Sequence, residues 1–414
     1  MPVPSYFWLA RAAEEGKDAF CGFCIHPFRR PHTTSPKHIA CHCVLPKKMG
    51  AGARSQATVR GVLEGQQPDG SETIRYTHAV PAEQPLLAFF QLFAALFFSS
   101  YFFFWIFGLV GLYLSMRWAL LSMSGAALLL GVYVAQIMLY KPHKGKGWHF
   151  EWFLYSRLVD LVLGYHGGTC VREGPAPDPR RRLLFAMAPH GVFGVCRAFS
   201  GGTAWRKLYP KITARWGSFG GAFVLPGVRE FSLCCGCLDA SRSVLTRAIE
   251  RGENVILLPG GEKEMMLTDG ESTETQLVLG DRKGFVRLAV THGMDLVPGF
   301  CFGEKWVHHA VRLPKPLRAF LYRHLRIAGV VLTGRWGCTF LGEIEKADGS
   351  PLRLGYVWGT PIRVEQRTEP SEEYIDEVHA KFVAAMKDIF ERRKREFGYG
   401  DEEKLVIVSA KKSV

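Results

Sequence analysis

The sequence lacks the short motifs that mark several large enzyme classes. It has no serine nucleophile elbow, no Walker loop and no metalloprotease motif, which argues against the hydrolases, nucleoside triphosphatases and zinc proteases that those motifs define. It also has no run of five or more Arg/Lys residues and no nucleic-acid-binding motif, although its formal net charge is +14. Because a basic chain attracts anionic partners, we expect acidic lipid headgroups or a polyanionic ligand, and no nucleic acid.

An N-terminal signal peptide is also missing from the sequence. Residues 1–20 carry five charged side chains and no apolar stretch of the kind that a secretory signal needs. The cysteines give a second indication of compartment, because Cys234, Cys235 and Cys237 include adjacent thiols. Adjacent thiols suit a reducing compartment better than an ordered disulfide framework. We therefore expect the chain to fold without disulfides.

Charged residues are absent from residues 86–116 and again from residues 118–140. A helix needs roughly 20 apolar residues to cross the hydrocarbon core of a bilayer, and backbone in lipid must be helical. The two stretches therefore predict a transmembrane helical hairpin, with helices at 86–107 and 118–140. The basic residues at 141–146 favour the cytosolic side for the C-terminal end of the hairpin. A re-entrant wedge in one leaflet and a buried core hairpin remain alternatives.

The pattern predicts three regions: a flexible tail at 1–82, the hairpin at 83–147 and a cytosolic domain at 148–414. The tail is rich in Pro, Gly, Ser and scattered charge, without sustained periodicity. It contains a C-x-x-C pair and a C-x-C pair, formed by Cys21, Cys24, Cys41 and Cys43. The second pair departs from the usual zinc-ligand spacing. A zinc site and a plain tail both stay open there, and no metal is expected elsewhere.

From residue 148 onward, short apolar runs alternate with helical patterns. The runs at 183–187, 255–258 and 296–297 each lead into turn residues and predict buried strands. Such alternation predicts an α/β domain with a mixed, largely parallel sheet and flanking helices. Functional sites in these sheets gather at the C-terminal ends of strands, where His190 and the Gly260-Gly261 turn are placed.

His190 is the first candidate for chemistry, because it follows a predicted strand and precedes Gly191. An imidazole can act as a general base near neutral pH. A single histidine at such a position also commonly serves the structure. The position alone therefore leaves a catalytic and a structural role open.

Four stretches of the chain carry a family pattern. They are Ala188-Pro189-His190-Gly191, Pro226-Gly227-Val228-Arg229-Glu230, Gly260-Gly261-Glu262-Lys263-Glu264 and residues 282–304. In order, they resemble H-P-H-G without its first His, P-x-x-R-E, G-G-x-x-E and a long gapless block of the diacylglycerol acyltransferase type 2 family. That family includes monoacylglycerol acyltransferases and wax-ester synthases. With the apolar hairpin, the resemblance covers residues 85–400 and implies a fold like that of the glycerolipid acyltransferases.

The resemblance implies an enzyme that esterifies diacylglycerol with acyl-CoA, making triacylglycerol at the cytosolic face of the endoplasmic reticulum membrane and at lipid droplets. It makes His190 the catalytic base, with Pro189 and Gly191 beside it at the substrate. Distant glycerolipid acyltransferases place an Asp where this chain has Val195. We therefore expect Glu264 to orient the imidazole, and a helix N-terminal charge is the alternative role for this carboxylate.

The phosphates of coenzyme A need cations or backbone donors. The candidates in the matching stretches are Arg229, Arg282, Lys283 and the glycine turn, Gly260 and Gly261. Arg242 is a further candidate, since residues 236–242 resemble the acceptor-binding stretch of the distant glycerolipid acyltransferases, which ends in Arg. Backbone amides near Gly191 or the glycine turn are also candidates for stabilising the oxyanion. For the cations, an ordinary solvated basic face is the alternative. We expect acyl-CoA to act as a co-substrate and expect no cofactor. The expected partners are acyl-CoA, diacylglycerol and the bilayer. Homo-oligomerisation stays open.

Two alternatives to diacylglycerol esterification follow from the sequence. The first keeps the chemistry and changes the acceptor to monoacylglycerol or a long-chain alcohol, which would give a wax ester. The second is a membrane lipid-handling protein without enzymatic activity, which Ala188 and Val195 favour and the intact His190 and Glu264 oppose. Lys411 and Lys412 resemble a dilysine retrieval signal for the endoplasmic reticulum.

Overall fold

The computed structural model describes residues 62–118, 123–192, 194–314, 316, 317, 320, 330–338 and 341–409. Two sequence hypotheses lie outside the described residues. One is the zinc site at the four cysteines of the tail, Cys21, Cys24, Cys41 and Cys43. The other is the dilysine signal at Lys411 and Lys412.

Strands and helices alternate along most of the described chain. The strands are β1 (Val62–Gln66), β2 (Glu72–Arg75), β3 (Thr169–Arg172), β4 (Leu183–Ala188), β5 (Ala214–Ser218), β6 (Leu238–Asp239), β7 (Asn254–Leu257), β8 (Glu274–Val278), β9 (Asp295–Phe302), β10 (His309–Arg312), β11 (Val330–Thr333), β12 (Gly355–Trp358) and β13 (Lys404–Val408). The helices are α1 (Pro85–Trp118), α2 (Met123–Leu139), α3 (Glu151–Leu154), α4 (Arg157–Tyr165), α5 (Gly202–Leu208), α6 (Val228–Cys234), α7 (Arg242–Glu250), α8 (Gly261–Leu267), α9 (Gly284–His292), α10 (Glu304–Val307) and α11 (Glu372–Arg393).

A nine-stranded sheet organises these elements in the order β1-β2-β3-β12-β9-β4-β7-β5-β6. Its five strands from β9 to β6 are parallel to one another, and β12 runs antiparallel to β9. Two smaller sheets pair β10 with β11 and β13 with β8. The predicted mixed, largely parallel sheet with flanking helices is therefore confirmed.

Strand β4 shows why its apolar run predicted a buried strand. Leu183, Phe185 and Met187 pack into one apolar cluster, which includes residues of α4 and α5. Leu184 and Ala186 pack into a second cluster, which includes residues of α7, α9 and α11. Because helices cover both faces of a parallel sheet, every position of a central strand is apolar. The end of β4 is thereby held rigidly in the middle of the sheet.

The predicted flexible tail is wrong for its last part. Strands β1 and β2 pair antiparallel, and β2 pairs with β3 of the main sheet. Ile74 and Tyr76 are buried, and the Tyr76 hydroxyl donates a hydrogen bond of 2.8 Å to Asp160. Strands of four and five residues are too short to give a clear periodic signal, so the sequence pattern resembled that of a tail.

Helices α1 and α2 occupy the region of the predicted transmembrane hairpin. Across the residues that the structure describes, no helix combines the length and apolar character required to cross a membrane. The first turns of α1 contact the sheet domain, where the Gln91 carboxamide bonds the carbonyl of Thr77 and the amide of Ala79. Several apolar side chains of both helices are more than half exposed, including Phe89, Phe93, Leu128, Val132 and Leu139.

Candidate active site

His190 lies two residues after the end of β4, at the C-terminal edge of the parallel strands. Neighbouring β7 leads at the same edge into the Gly260-Gly261 turn and α8. The backbone turns sharply at Gly191, which has φ +64°, a conformation that favours glycine. The two predicted elements of the site, the histidine and the glycine turn, are therefore adjacent.

The His190 ring is oriented by a backbone carbonyl. Its Nδ1 lies 3.1 Å from the carbonyl oxygen of Gly191. A carbonyl oxygen can only accept a hydrogen bond, so this contact places the ring proton on Nδ1. The lone pair is then on Nε2, which can accept a proton from a substrate hydroxyl.

Burial keeps the His190 imidazole uncharged. Burial, with a smaller contribution from the nearby charge of Arg197, lowers the pKa of His190 to about 4. A Cβ placed on Gly194 would lie 3.6 Å from the His190 Cε1 and 3.9 Å from the Arg197 Nε, so the guanidinium is a neighbour of the ring. At neutral pH the ring is therefore in the form that can accept a proton.

Glu264 contacts the main chain of His190 and does not contact its ring. Its Oε2 accepts from the His190 amide at 2.8 Å, and its Oε1 accepts from the Val278 amide at 2.9 Å. The prediction that Glu264 orients the imidazole is wrong, because both carboxylate oxygens are directed at backbone amides. Burial raises the pKa of Glu264 to about 7, against the two amide hydrogen bonds and the charge of Arg282. Glu264 is thus a positioning residue.

The motif glycines allow two buried carboxylates to approach the backbone. A Cβ on Gly260 would overlap the Glu264 carboxyl group, and a Cβ on Gly191 would lie 2.5 Å from Oε2 of Glu304. Gly261 has φ +57°, which lets the chain turn into α8. Pro189 is buried. These glycines explain the two short motifs through packing, and the contribution of their amides to oxyanion stabilisation stays a prediction.

Sequence patterns did not identify two residues of the site, Glu304 and Arg197. Glu304 is 2% exposed and begins α10 at the end of β9, against Gly191. Its position at the end of the long matching block was the signal that could have identified it. Arg197 lies in the 3-10 helix Val195–Ser200. No spacing or motif marks it, since its proximity to His190 depends on how the loop after β4 folds back.

Two of the predicted coenzyme A contacts have partners within the protein. Arg229 is fully buried, pairs with Glu230 at 2.5 Å and donates to the Tyr140 carbonyl at 2.8 Å. Lys283 forms an ion pair with Asp376 of α11. Both cations are engaged within the protein because the P-x-x-R-E and R-K segments pack against neighbouring helices.

The other two predicted cations remain available for an anionic ligand. Arg242 is exposed at the first position of α7, on the strand edge that carries His190. Arg282 is half-buried, and its charge lowers the pKa of Glu264. Its buried Nε has no hydrogen-bond partner among the described residues. These positions suit contacts to phosphate groups, and such contacts stay a prediction.

A cavity of about 90 Å³ is lined by residues of α1, α4, α6 and the segment that follows β4. Gly194 and Arg197, which flank the ring, are part of its lining, and most other lining residues are apolar. Within the described part of the chain, no group of three or more His, Cys, Asp or Glu residues is placed to hold a metal ion. The site therefore combines a neutral imidazole, a half-buried cation and an apolar cavity.

Comparison with known proteins identifies a family pattern over most of this domain. The family described as diacylglycerol acyltransferase matches residues 112–408. This range includes His190, Glu264, Glu304 and Arg197. No solved structure matches the chain.

Three similar proteins have names that differ in the acyl acceptor. Acyl-CoA wax alcohol acyltransferase 1 of Homo sapiens is 29% identical over 283 residues, which cover 64% of this chain and 82% of that protein. Diacylglycerol O-acyltransferase 1 of Eremothecium gossypii is 29% identical, over 63% of this chain and 57% of that protein. 2-acylglycerol O-acyltransferase 1 of Mus musculus is also 29% identical, over 58% of this chain and 73% of that protein.

Proposed function

The chain belongs to the diacylglycerol acyltransferase family, and from that premise we propose that it transfers an acyl group from acyl-CoA to the free hydroxyl of diacylglycerol, forming triacylglycerol. The observation that carries this proposal is the state of His190. Its ring is neutral at pH 7, and its Nδ1 proton is held by the Gly191 carbonyl. A hydroxyl group is too weak a nucleophile on its own, so a base in this form is what the reaction requires.

The proposed reaction is a direct transfer. His190 Nε2 takes the proton of the acceptor hydroxyl as its oxygen attacks the thioester carbonyl carbon. The tetrahedral intermediate then collapses with cleavage of the carbon–sulfur bond. Coenzyme A leaves as the thiolate and takes up the proton from the His190 imidazolium. General base catalysis of this kind typically contributes about a hundredfold to ten-thousandfold in rate.

Coenzyme A binding is part of the same proposal. Of the four predicted cations, Arg242 and Arg282 are the two for which the described residues supply no ion pair. Phosphate groups favour such guanidinium donors. Substitution of Arg282 by Ala should therefore raise the KM for acyl-CoA and leave the KM for the acceptor unchanged.

We further propose that the enzyme works at the cytosolic face of the endoplasmic reticulum membrane and at lipid droplets. The support is an exposed apolar surface on α1 and α2, formed by side chains such as Phe89, Phe93, Val132 and Leu139. Exposed apolar patches of this kind mark contact with a partner or a lipid surface. Diacylglycerol is insoluble, so a lipid contact near the site would supply it.

Monoacylglycerol and long-chain alcohols are the second candidate acceptors. Two of the similar proteins are named for these substrates, a 2-acylglycerol O-acyltransferase and a wax alcohol acyltransferase. The proposed chemistry at His190 is the same for all three acceptors. The non-enzymatic alternative loses its basis, because the family and the site both favour an acyltransferase.

A competition assay tests the acceptor. Membranes that contain the chain receive labelled oleoyl-CoA and equal amounts of diacylglycerol, monoacylglycerol and hexadecanol, beside a His190→Ala control. We expect triacylglycerol as the main product and its loss in the control. Dominant formation of diacylglycerol or wax ester would replace the proposed acceptor, and the absence of any His190-dependent ester would refute the proposed reaction.

A further inference from the structure

The cavity beside His190 has no role in the proposed proton transfer. We infer that it binds the acyl chain of the acyl donor, with Arg197 of its lining as a hydrogen-bond donor to the thioester carbonyl. This inference rests on the proposed function and adds to it a site for the donor chain. It also assigns a catalytic role to Arg197.

The walls of the cavity have the chemistry of a site for a hydrocarbon chain. The lining includes three aliphatic side chains, Leu154, Val159 and Val162. It also includes three aromatic ones, Phe98, Trp216 and Phe231. Burial of methylene groups against such side chains is favourable, whereas water would find few hydrogen-bond partners there. The lining therefore fits an alkyl chain better than a polar headgroup.

The size of the cavity limits what it can hold. Its volume is about 90 Å³. A cavity needs about 10 to 15 Å³ to hold one water-sized group. This cavity therefore accommodates roughly six to nine methylene-sized groups. It can therefore take the part of a long acyl chain nearest the carbonyl, and the rest of such a chain must extend beyond it.

The position of Gly194 and Arg197 connects the cavity with the reacting atoms. Both residues line the cavity, and both neighbour the His190 ring. A chain that enters between these walls therefore places its carbonyl end beside the base. A Cβ at position 194 would lie 3.6 Å from the His190 Cε1, so this part of the cavity wall lies against the ring.

Arg197 is a cation that is not fully satisfied by the protein. Its Nε is buried and has no hydrogen-bond partner among the described residues, and its guanidinium carbon lies 5.7 Å from the centre of the Trp216 ring. Buried donors normally have an acceptor. A thioester carbonyl oxygen would supply one, and the interaction would strengthen as that oxygen becomes negative in the tetrahedral intermediate.

The donor chain fits this arrangement better than a chain of the acceptor. In the thioester, the alkyl chain is attached directly to the carbonyl that must meet Arg197. In diacylglycerol, the reacting hydroxyl is separated from each alkyl chain by the glycerol backbone and an ester group. A straight-chain alcohol would have no such separation, so it serves as a competitor in the labelling experiment.

Chain-length selectivity tests the cavity. Val162→Phe narrows the cavity from α4, and Leu161→Phe on the same helix, at a half-buried position outside the cavity, is the matched control. We expect the ratio of kcat/KM for palmitoyl-CoA to that for butanoyl-CoA to fall tenfold or more in Val162→Phe, since each methylene group in an apolar site is worth about tenfold or more. The control should keep the wild-type ratio. An unchanged ratio in a folded Val162→Phe variant would overturn the inference, while ester formation by the wild type would leave the proposed function intact.

Arg197 is tested separately by Arg197→Met and Arg197→Lys. We expect Arg197→Met to lower kcat about a hundredfold or more with a nearly unchanged KM for acyl-CoA, because an oxyanion donor acts mainly in the transition state. Arg197→Lys should restore part of the rate. Equal kcat in Arg197→Met and wild type would refute the role assigned to this guanidinium.

A labelling experiment covers the case in which a cavity variant does not fold. Wild-type protein is irradiated with an acyl-CoA that carries a diazirine a few carbons from the thioester. We expect carbene insertion into peptides of α4 or α6, and suppression by excess palmitoyl-CoA. Labelling elsewhere, or suppression by hexadecanol or diacylglycerol but not by palmitoyl-CoA, would overturn the inference. If the wild-type protein is labelled on α4 but forms no ester, the proposed function is refuted and the inferred chain-binding site is not.

Discussion

Replacement of Glu264 by Gln tests whether this carboxylate supports catalysis by positioning His190. The carboxylate accepts from the amides of His190 and Val278, at 2.8 and 2.9 Å. A glutamine keeps one acceptor oxygen and directs an NH₂ group at the other amide. One hydrogen bond is then lost and a buried donor faces another donor, which typically costs about 1–3 kcal/mol.

The catalytic effect of Glu264→Gln comes from the displaced main chain of His190. A misplacement of about 1 Å at a reacting group can cost roughly a hundredfold in rate. We therefore expect kcat to fall ten- to a hundredfold, with a KM for acyl-CoA within about twofold of wild type. The assay is ester formation over a range of acyl-CoA concentrations, with thermal unfolding of the same preparations.

Glu262→Gln on the same helix is the matched control for Glu264→Gln. Glu262 is half-buried, two residues before Glu264 in the first turn of α8. Residues two apart on a helix do not face the same side, so its substitution should change neither kcat nor the melting temperature by much. If Glu264→Gln lowers stability and keeps the wild-type kcat, then the link between the carboxylate and the catalytic ring is refuted.

The packing and burial of other residues give three further predictions. Gly260→Ala should destabilise the fold by about 1–3 kcal/mol in urea denaturation, since its Cβ would overlap the Glu264 carboxyl group; a stability equal to wild type would contradict this packing. Arg229→Met should lower stability and leave the KM for acyl-CoA unchanged, because Arg229 is fully buried and paired; a raised KM would restore it as a phosphate contact. Burial lowers the pKa of His166 to about 3 and that of His308 to about 4. In the unfolded chain both pKa values are about 6.5, so below this pH the unfolded chain binds more protons than the folded one. The free energy of unfolding should therefore fall as the pH falls from about 6.5 to 4. Denaturation at pH 7 and pH 5 measures this loss, and His308→Gln should reduce the slope; an identical slope in the variant would contradict it.

The sheet was predictable because its central strands are apolar at every position. The run from Leu183 to Met187 has this property, since helices cover both faces of the sheet. Strands β1 and β2 were not predicted, because four or five residues of mixed polarity do not distinguish a strand at the sheet edge from a tail. The edge of the sheet depends on pairing with β3, which is about a hundred residues away in the chain.

The candidate site was predictable in its position and less so in its contacts. The strand end and the glycine turn were enough to bring His190 and Glu264 together. Whether the carboxylate meets the ring or the amide depends on side-chain direction at the turn, which no residue pattern specifies. Arg229 shows the same limit, because a basic residue in a motif does not reveal whether its guanidinium faces a ligand or the core.

The central claim is that the neutral imidazole of His190 is the base of acyl transfer. The most direct measurement is the rate of ester formation at saturating acyl-CoA and acceptor by His190→Gln, with His309→Gln as an exposed control and the melting temperature as the test of folding. We predict a fall of at least a hundredfold for His190→Gln and an unchanged rate for the control. A folded His190→Gln variant that keeps half of the wild-type rate would contradict the claim.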